Sequence, residues 1–380
     1  MATTNKILFI LHTPPPVNGA AMVGQFIKES EVINSTFDSD YINLTTSFSL
    51  DKIGKSGISK YLTVLQIQFK IIKALISRKY DLCYMSFTAK GAGFYKDLFV
   101  VAILKLFQQN IIYHFHNKGI AKSSKSRLNN ILYRIAFRNT KSILLSPHLY
   151  HDVAGYVSEK DVYFCANGIP ETESEKNLIK VTKHPCRLLF LSNMMEEKGV
   201  LVLLEACKLL KEKGLDFECH FVGAWSDVSE EMFTTTVQKY NIQENIFAHG
   251  KKYNEEKIAF LNQSDIFVFP TFYHNECFPL VLLEAMENGL PIISTPEGGI
   301  ADIVVDGGTG FLVPQQSTEI LVEKLSILIQ EPDLRAKMGA AGRKRYKELF
   351  TLEKFEQKMA EILEDAIAHK KLKSPVYSAL

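Results

Sequence analysis

The chain has 380 residues, of which 46% are hydrophobic and 23% are charged. This length predicts about two domains of similar size, and the composition excludes a disordered, collagen-like or disulfide-scaffold protein. The six cysteines form no Cys-x-x-Cys pair, so they are expected to be reduced, packed thiols rather than a zinc cage or a disulfide framework.

Residues 1–170 alternate between short apolar runs and helical patterns. A strand buried on both faces is predicted at 6–11, followed by a loop rich in turn formers and a helix from Ala20 to about Ser30. The acidic pair in Asp38-Ser-Asp40 is interpreted as part of a surface turn before a strand. Further strands are predicted at 80–86, 110–116, 141–146 and 162–165, with helices at 59–78 and 94–108.

A polar, acidic stretch at 171–185 is the expected linker, and the alternation then restarts. Strands are predicted at 186–191, 218–222, 246–248, 266–269, 291–294 and 310–313, and helices at 198–213, 229–240, 254–262, 279–288, 316–330, 332–348 and 351–370. The prediction is therefore an α/β protein with two Rossmann-like parallel-sheet domains, 1–170 and 186–354, facing each other across a cleft. The C-terminal helix, about 355–380, is expected to pack back on the first domain.

Charge is unevenly distributed although the net charge is only +2. Residues 1–150 hold 19 Lys and Arg against 7 Asp and Glu, whereas the remainder holds 25 against 35. This pattern predicts that the first part meets an anionic membrane surface or a phosphorylated acceptor. A nucleic acid is not an expected partner. A solvated basic face without any partner is the alternative.

No stretch reaches the roughly 18 consecutive apolar residues of a membrane span. The nearest run, 98–104, ends at Lys105, and the N-terminus lacks the pattern of a secretory signal. The expected location is therefore the cytoplasm.

The most informative segment runs from Phe269 to Met286. A buried strand ends at Phe269, an irregular loop carries Glu276, and a helix is predicted to begin near Pro279 and to carry Glu284. The two carboxylates would bracket a polyhydroxylated ligand that faces the N-terminal end of the helix. A solvated Glu284 is the simpler alternative, but residues 280–283 are all apolar, which makes it a poor fit.

This Glu-x7-Glu arrangement resembles the signature of the retaining glycosyltransferase family 4, the group 1 glycosyltransferases of GT-B fold. Other segments resemble that family in the same order along the chain: Asn167-Gly168-Ile169 at the domain junction, 191–206 at the donor phosphates, 264–270 before the glutamate loop, and 289–313 in the C-terminal core.

The resemblance implies a role for each matching residue. Glu284 would bind the ribose hydroxyls of a nucleoside diphosphate donor, and Lys198 would neutralise the departing diphosphate. Glu276 would hold the donor sugar, together with the backbone at Cys277, Phe278, Pro279 and Leu280. Backbone N–H groups at Gly298 and Gly299 would cradle phosphate.

In the first domain, Gly19 and Ala20 match a glycine-bearing loop under the diphosphate, and His116 matches a histidine near the transferred sugar. His114, on the same side of its strand, is the weaker candidate. The chain departs from the family at Asn193, a donor-site position where an arginine is common, and at Cys277, where a glycine is common.

The implied reaction is transfer of a hexose-type sugar from a nucleotide diphosphate donor, with retention of anomeric configuration. UDP is the expected nucleotide because it is the commonest in such donors. No metal or other cofactor is expected. The acceptor would be a saccharide or lipid-linked saccharide in bacterial surface polysaccharide synthesis. Peripheral contact of the first domain with anionic membrane through 60–79 and 118–127 is a hypothesis, and its alternative is that the 59–78 helix simply covers the sheet. A nucleotide-sugar epimerase of the same fold and a non-catalytic nucleotide-sugar-binding subunit are the alternatives.

Overall fold

The structure, a computed structural model, describes residues 4–45, 58–172 and 185–373, with only the backbone at 58–61 and 369–373. Most of the predicted linker therefore lies outside the described residues. The chain divides into a first unit, Met1–Asn167 with Leu352–Leu380, and a second unit, Gly168–Thr351. Each unit contains a six-stranded parallel sheet, which confirms the predicted α/β fold class.

The sheet of the first unit has the order β2-β1-β3-β4-β5-β6. Its strands are β1 (Lys6–Leu11), β2 (Asp38–Asn43), β3 (Leu82–Ser86), β4 (Ile111–His114), β5 (Lys141–Leu144) and β6 (Val162–Phe164). All residues of β3 and β4 are buried, because helices cover both faces of the sheet and apolar side chains must point both ways.

Strand β2 corrects the prediction of a surface turn at Asp38-Ser-Asp40. These residues form the edge strand next to β1, in register from Lys6 opposite Asp38. Asp38 and Asp40 are alternate residues and so share one face, where both carboxylates pair with the guanidinium of Arg78, Asp40 at 2.8 Å. Within the described residues, no group of three or more His, Cys, Asp or Glu is placed to hold a metal ion.

The helices of the first unit form two layers. They are α1 (Gly19–Glu29), α2 (Glu31–Thr36), α3 (Ile58–Ser77), α4 (Gly91–Leu106), α5 (Ile120–Ser123), α6 (Arg127–Phe137), α7 (Tyr150–Val153) and the C-terminal α15 (Leu352–Lys373). Right-handed crossovers place α3, α4 and α6 on one face of the sheet, because the chain moves in the same direction along the sheet at each of them. Helix α15 packs on α2, in the layer on the opposite face.

The second unit repeats this arrangement with the sheet order β12-β11-β10-β7-β8-β9. Its strands are β7 (Cys186–Leu191), β8 (Phe217–Val222), β9 (Ile246–Ala248), β10 (Ile266–Phe269), β11 (Ile292–Ser294) and β12 (Gly310–Leu312). Its helices are α8 (Val200–Glu212), α9 (Glu230–Lys239), α10 (Asn254–Gln263), α11 (Leu280–Glu287), α12 (Ile300–Ile303), α13 (Thr318–Gln330) and α14 (Pro332–Leu349). No helix within the described ranges combines the length and the apolar character needed to cross a bilayer.

Candidate functional site

Most predicted site residues lie in the loops that follow β7, β10 and β11, three neighbouring strands of the second sheet. Two glycines with positive φ bring these loops together. A Cβ at Gly199 (φ +89°) would lie 2.3 Å from the carbonyl oxygen of Pro270, and one at Gly298 (φ +57°) would lie 2.3 Å from that of Glu276. Only glycine permits both the left-handed conformation and this close approach. The loops are thereby fixed against each other at the carboxyl edge of the sheet.

Lys198 and Glu276, predicted separately as catalytic residues, are in direct contact. Lys198 ends a 3-10 turn after β7, and its ammonium forms an ion pair with the Glu276 carboxylate. The same ammonium lies 4.4 Å from the ring centroid of Tyr273, within range of a cation–π interaction. The side chains of Lys198 and Glu276 are only 14% and 10% exposed, so this pair places two opposite charges in a largely desolvated position.

One carboxylate oxygen of Glu284 has a hydrogen-bond partner and the other has none. Its Oε1 accepts a hydrogen bond from Lys257 Nζ at 2.7 Å, whereas its Oε2 is buried and has no hydrogen-bond partner. Burial raises the pKa of Glu284, and the Lys257 ammonium opposes that rise. Sequence reasoning missed Lys257, since it lies on α10, 27 residues earlier, and has no local signal.

The residues between the two glutamates turn their side chains toward the protein. Pro279 is the N-cap residue of α11, and Leu280 is the first helical residue. The Cys277 thiol is buried, 3.7 Å from the Asn275 carbonyl oxygen. The Phe278 ring packs against that of Phe350, with 5.7 Å between centroids. Contact of this segment with a sugar therefore depends on its backbone and stays a prediction.

The predicted phosphate-binding amides already have partners inside the chain. The Gly298 N–H donates to the Glu297 carboxylate at 3.2 Å, and the Gly299 N–H donates to the Cys277 carbonyl at 2.6 Å. Binding of phosphate at these groups requires both hydrogen bonds to open. Asn193 follows β7 with an exposed side chain.

In the first unit, His116 lies two residues beyond β4, with its ring tilted by 50° against that of His114 and 4.2 Å between the ring centroids. The Nε2 atoms of both rings are buried without a hydrogen-bond partner, and His114 Nδ1 lies 2.5 Å from the Tyr84 hydroxyl. Burial lowers the pKa of His116 to about 4, so its ring is neutral at pH 7. Burial, with a smaller effect of His116, also lowers the pKa of His114.

Sequence reasoning missed His12, which lies near His116, and Lys96, which lies near His12. His12 follows β1, and burial, the positive charge of Lys96 and His116 lower its pKa to about 3. Lys96 lies on α4, with its ammonium 3.3 Å from the Leu44 carbonyl and 3.6 Å from Asp97. His12 and His116 are far apart in sequence, and the sheet order β1-β3-β4 brings the ends of their strands near each other.

Gly19 and Ala20 begin α1 directly after β1 and its loop. The N-cap residue Asn18 accepts a hydrogen bond from the Ala21 N–H at 3.0 Å. A Cβ added at Gly19 would have no heavy atom within 4 Å, so no packing demand within the described structure explains a glycine there.

Residues 171–345 match the family model of the group 1 glycosyl transferases. This match confirms the resemblance found from the sequence. The chain is 27% identical over 262 residues to the putative colanic acid biosynthesis glycosyltransferase of Escherichia coli K12, covering 66% of this chain and 63% of that protein. It is 28% identical over 204 residues to a capsular polysaccharide biosynthesis glycosyltransferase of Staphylococcus aureus, covering 52% and 51%. The matches thus span about half to just under two thirds of these relatives.

Among solved structures, the chain is similar to Anabaena HepE in complex with UDP, with a TM-score of 0.74 at 15% identity, covering 95% of this chain and all of that one. At that identity the likeness concerns the fold. It confirms the predicted GT-B fold.

Proposed function

We propose, on the premise that residues 171–345 form a group 1 glycosyl transferase domain, that this protein transfers a hexose-type sugar from a UDP-sugar to a saccharide or lipid-linked saccharide, with retention of anomeric configuration. The names of its relatives support a role in bacterial polysaccharide synthesis. The basic first 150 residues suit an acceptor that carries phosphate at an anionic membrane surface.

The unoccupied Oε2 of Glu284 is the observation that carries this proposal. A buried carboxylate oxygen without a partner is costly unless a ligand satisfies it. The two neighbouring hydroxyls of a ribose are suited to it, because together they donate two charge-assisted hydrogen bonds to one carboxylate. Lys257 holds the other oxygen and favours the ionised form that accepts them.

Lys198 and Glu276 supply the charges needed during transfer. When the donor binds, the diphosphate shares the Lys198 ammonium, whose positive charge then stabilises the departing UDP. Glu276 accepts hydrogen bonds from sugar hydroxyls. Because Asn193 carries no charge, Lys198 supports a larger share of the leaving-group charge than it would beside an arginine. The proposal assigns no metal ion or other cofactor to this step.

The neutral His116 is proposed to hydrogen-bond the transferred sugar rather than to attract a phosphate. The acceptor hydroxyl attacks the anomeric carbon from the face that the diphosphate leaves, and a phosphate oxygen takes its proton. The glycosidic bond to the acceptor forms as the bond to UDP breaks, and the configuration is retained because both bonds lie on the same face of the sugar.

A titration of UDP and 2′-deoxy-UDP into the wild type and Glu284→Gln tests this ribose contact. Loss of a hydrogen bond to a charged group predicts about 10- to 100-fold weaker UDP binding by the variant. The missing 2′-hydroxyl should then weaken binding to the wild type but change little in Glu284→Gln. Glu319→Gln, at an exposed position of α13, is the matched control. The assignment would be contradicted if Glu284→Gln weakened the binding of UDP and of 2′-deoxy-UDP by the same factor relative to the wild type.

A second assay separates the transferase from its alternatives. Incubation of the protein with UDP-sugar and a saccharide acceptor should yield an α-linked product from an α-linked donor, observed by NMR. Isomerised sugar without acceptor would instead indicate an epimerase, and binding without either product would indicate a non-catalytic subunit.

A further inference from the structure

The outer surface of the first unit exposes an unusual set of apolar side chains. Of the seventeen large hydrophobic residues that are exposed among the described residues, ten lie on α3, α4 and α6: Leu62, Leu65, Phe69, Ile76, Tyr95, Phe99, Leu106, Leu128, Ile131 and Ile135. Singly scattered apolar residues are ordinary on a protein surface, whereas a contiguous group marks a binding surface.

Helix α3 shows how this surface arises. Ile67, Ile71 and Leu75 recur every four residues and are buried against the sheet. Leu62, Leu65, Phe69 and Ile76 recur at spacings of three, four and seven, which places them on a second apolar face turned to solvent. Phe69 is 69% exposed there, so the helix has two apolar faces where a surface helix needs one.

The three helices form one continuous layer. Helix α4 packs against both α3 and α6, and the Tyr95 hydroxyl donates to the Asn129 side chain at 2.8 Å across the α4–α6 boundary. Leu128, Ile131 and Ile135 recur at spacings of three and four on the exposed side of α6. We call this layer's solvent side, defined by the ten residues named above, the α3–α4–α6 face.

The exposed charged side chains on these helices are all positive. Their sequences contain a single carboxylate, Asp97, which is fully buried. Their cations include Lys70, Lys73 and Arg134, all of them exposed. Lys73 lies between Phe69 and Ile76 on the same side of α3, so positive charge and apolar surface are interleaved.

A basic cleft of about 950 Å³ lies at the carboxyl ends of α4 and α6. Its lining includes four cations, Lys105, Arg138, Lys141 and Lys160, against one carboxylate, Asp161. Lys105 donates to the Arg138 carbonyl at 2.6 Å, and burial together with the Arg138 charge lowers the pKa of Lys105. Positive charge is therefore in excess beside the α3–α4–α6 face, next to the exposed Leu106.

We propose that the α3–α4–α6 face docks this protein on an anionic lipid bilayer, with its apolar side chains in the interfacial region and its cations at the headgroups. A second copy of the chain is a poor occupant, because a symmetric interface would bring cations against cations with no exposed carboxylate to pair them. The inference deepens the proposed function by naming the surface that meets the membrane of a lipid-linked acceptor, but its test needs neither donor nor activity.

The test is flotation of the full chain with vesicles of phosphatidylcholine alone or mixed equally with phosphatidylglycerol. We expect binding to the anionic vesicles that weakens as salt rises, and little binding to the neutral ones. Phe69→Gln and Ile131→Gln should each weaken binding about tenfold, since each removes an apolar side chain from the interface. Lys73→Gln should weaken it about fivefold.

Matched controls on the second unit are Met232→Gln, which is 41% exposed, and Lys344→Gln, which is 77% exposed. Both should bind vesicles like the wild type, and unchanged melting temperatures should show that every variant folds. Absence of binding at low salt, equal binding to neutral vesicles, or equal losses in the controls would each overturn the inference. So would a wild-type dimer, by sedimentation, that Phe69→Gln converts to a monomer without altering flotation.

If the protein binds vesicles but not UDP, the docking inference is supported and the proposed UDP-sugar transferase function is contradicted. If it binds UDP but does not float with vesicles, the proposed function is supported and the docking inference is contradicted.

Discussion

The two units have the same sheet topology but differ in the charged side chains that lie at the carboxyl edges of their strands. In the second unit, Lys198 with Glu276 and Lys257 with Glu284 form pairs of opposite charge. In the first unit, burial lowers the pKa values of His12 and His116 to about 3 and 4, so these two imidazoles at the corresponding edge are neutral at pH 7. One fold thus supports charged and uncharged chemistry, because the loops rather than the strands supply the side chains.

The outer surfaces differ in the same way. In the second unit, exposed large apolar residues are few and lie on separate elements, such as Met232 on α9 and Val305 after α12. In the first unit, they are concentrated on the α3–α4–α6 face, where exposed carboxylates are lacking. The comparison predicts that substitutions in the two units change different properties of the protein.

The largest effect is expected at the Lys198–Glu276 pair. Lys198→Ala removes the cation that stabilises the leaving diphosphate and should lower kcat about 10²- to 10³-fold. Glu276→Gln should lower it by a similar factor, and the double variant by much less than the product, because the two residues act as a unit. Steady-state kinetics measures this, with Lys208→Ala, on the surface of α8, as control. Fully multiplicative losses would show that the two charges act independently.

The next effect concerns backbone conformation and separates Gly199 from Gly19. Gly199→Ala should lower the free energy of unfolding by about 2–4 kcal/mol, because its φ is +89° and its Cβ would meet the Pro270 carbonyl. Gly19→Ala should change it by less than about 0.5 kcal/mol, since nothing lies near its Cβ. Urea denaturation measures both. A Gly19→Ala variant that is fully stable yet binds UDP weakly would support a ligand beside Gly19, whereas unchanged UDP binding would argue against it.

The smallest effect is the pH dependence of stability. The pKa values of folded His12 and His116 lie below the ordinary 6.5. As pH falls below 6.5, His12 and His116 bind protons in the unfolded chain but remain neutral in the folded chain. This contribution to stability is complete above pH 6.5 and is lost progressively toward pH 4, by about 1 kcal/mol per histidine between pH 7 and pH 5.5.

Hydrogen exchange measured at pH 7 and pH 5.5 tests this prediction. After correction for the intrinsic rate, amides in β1 and β4 should lose more protection than amides in β7 and β10. His116→Asn should reduce the difference while leaving β7 unchanged. Because burial also lowers the pKa values of His220 and His249 in the second unit, the decisive comparison is within the first unit. Equal losses of protection in β4 of the wild type and of His116→Asn would contradict the neutral state of His116.

Most of the fold could be predicted because most strands are mainly apolar runs that a helical pattern follows. The 186–191 and 266–269 strands begin and end where their apolar runs do. Strand β2 could not be predicted, because Asp38-Ser-Asp40 has the composition of a turn. Its carboxylates are paired by residues far along the chain: Arg78, 38 residues beyond Asp40, pairs with both, and the Tyr80 hydroxyl donates to Asp40 at 2.7 Å.

The site was predictable where its residues share one segment and not where they pair over long distances. Glu276 and Glu284 lie on the loop and the helix that their segment predicted, because both elements follow one strand, β10. The Lys257 partner of Glu284 and the His12–His116 proximity depend on strand order, which no local pattern reveals. The engagement of the Gly298 and Gly299 amides depends on loop conformation, which composition does not fix.

The second unit begins and ends at neighbouring points. The Ile169 N–H donates to the Phe350 carbonyl at 3.1 Å, and the Tyr346 hydroxyl donates to the Ile169 carbonyl at 3.0 Å. Residues 168–351 are therefore an insertion into the first unit, whose helix α15 is translated after them. A nascent chain that has emerged from the ribosome only as far as residue 351 contains the whole second unit but lacks the helix that packs on α2. The first unit is consequently completed only after the second unit has been made.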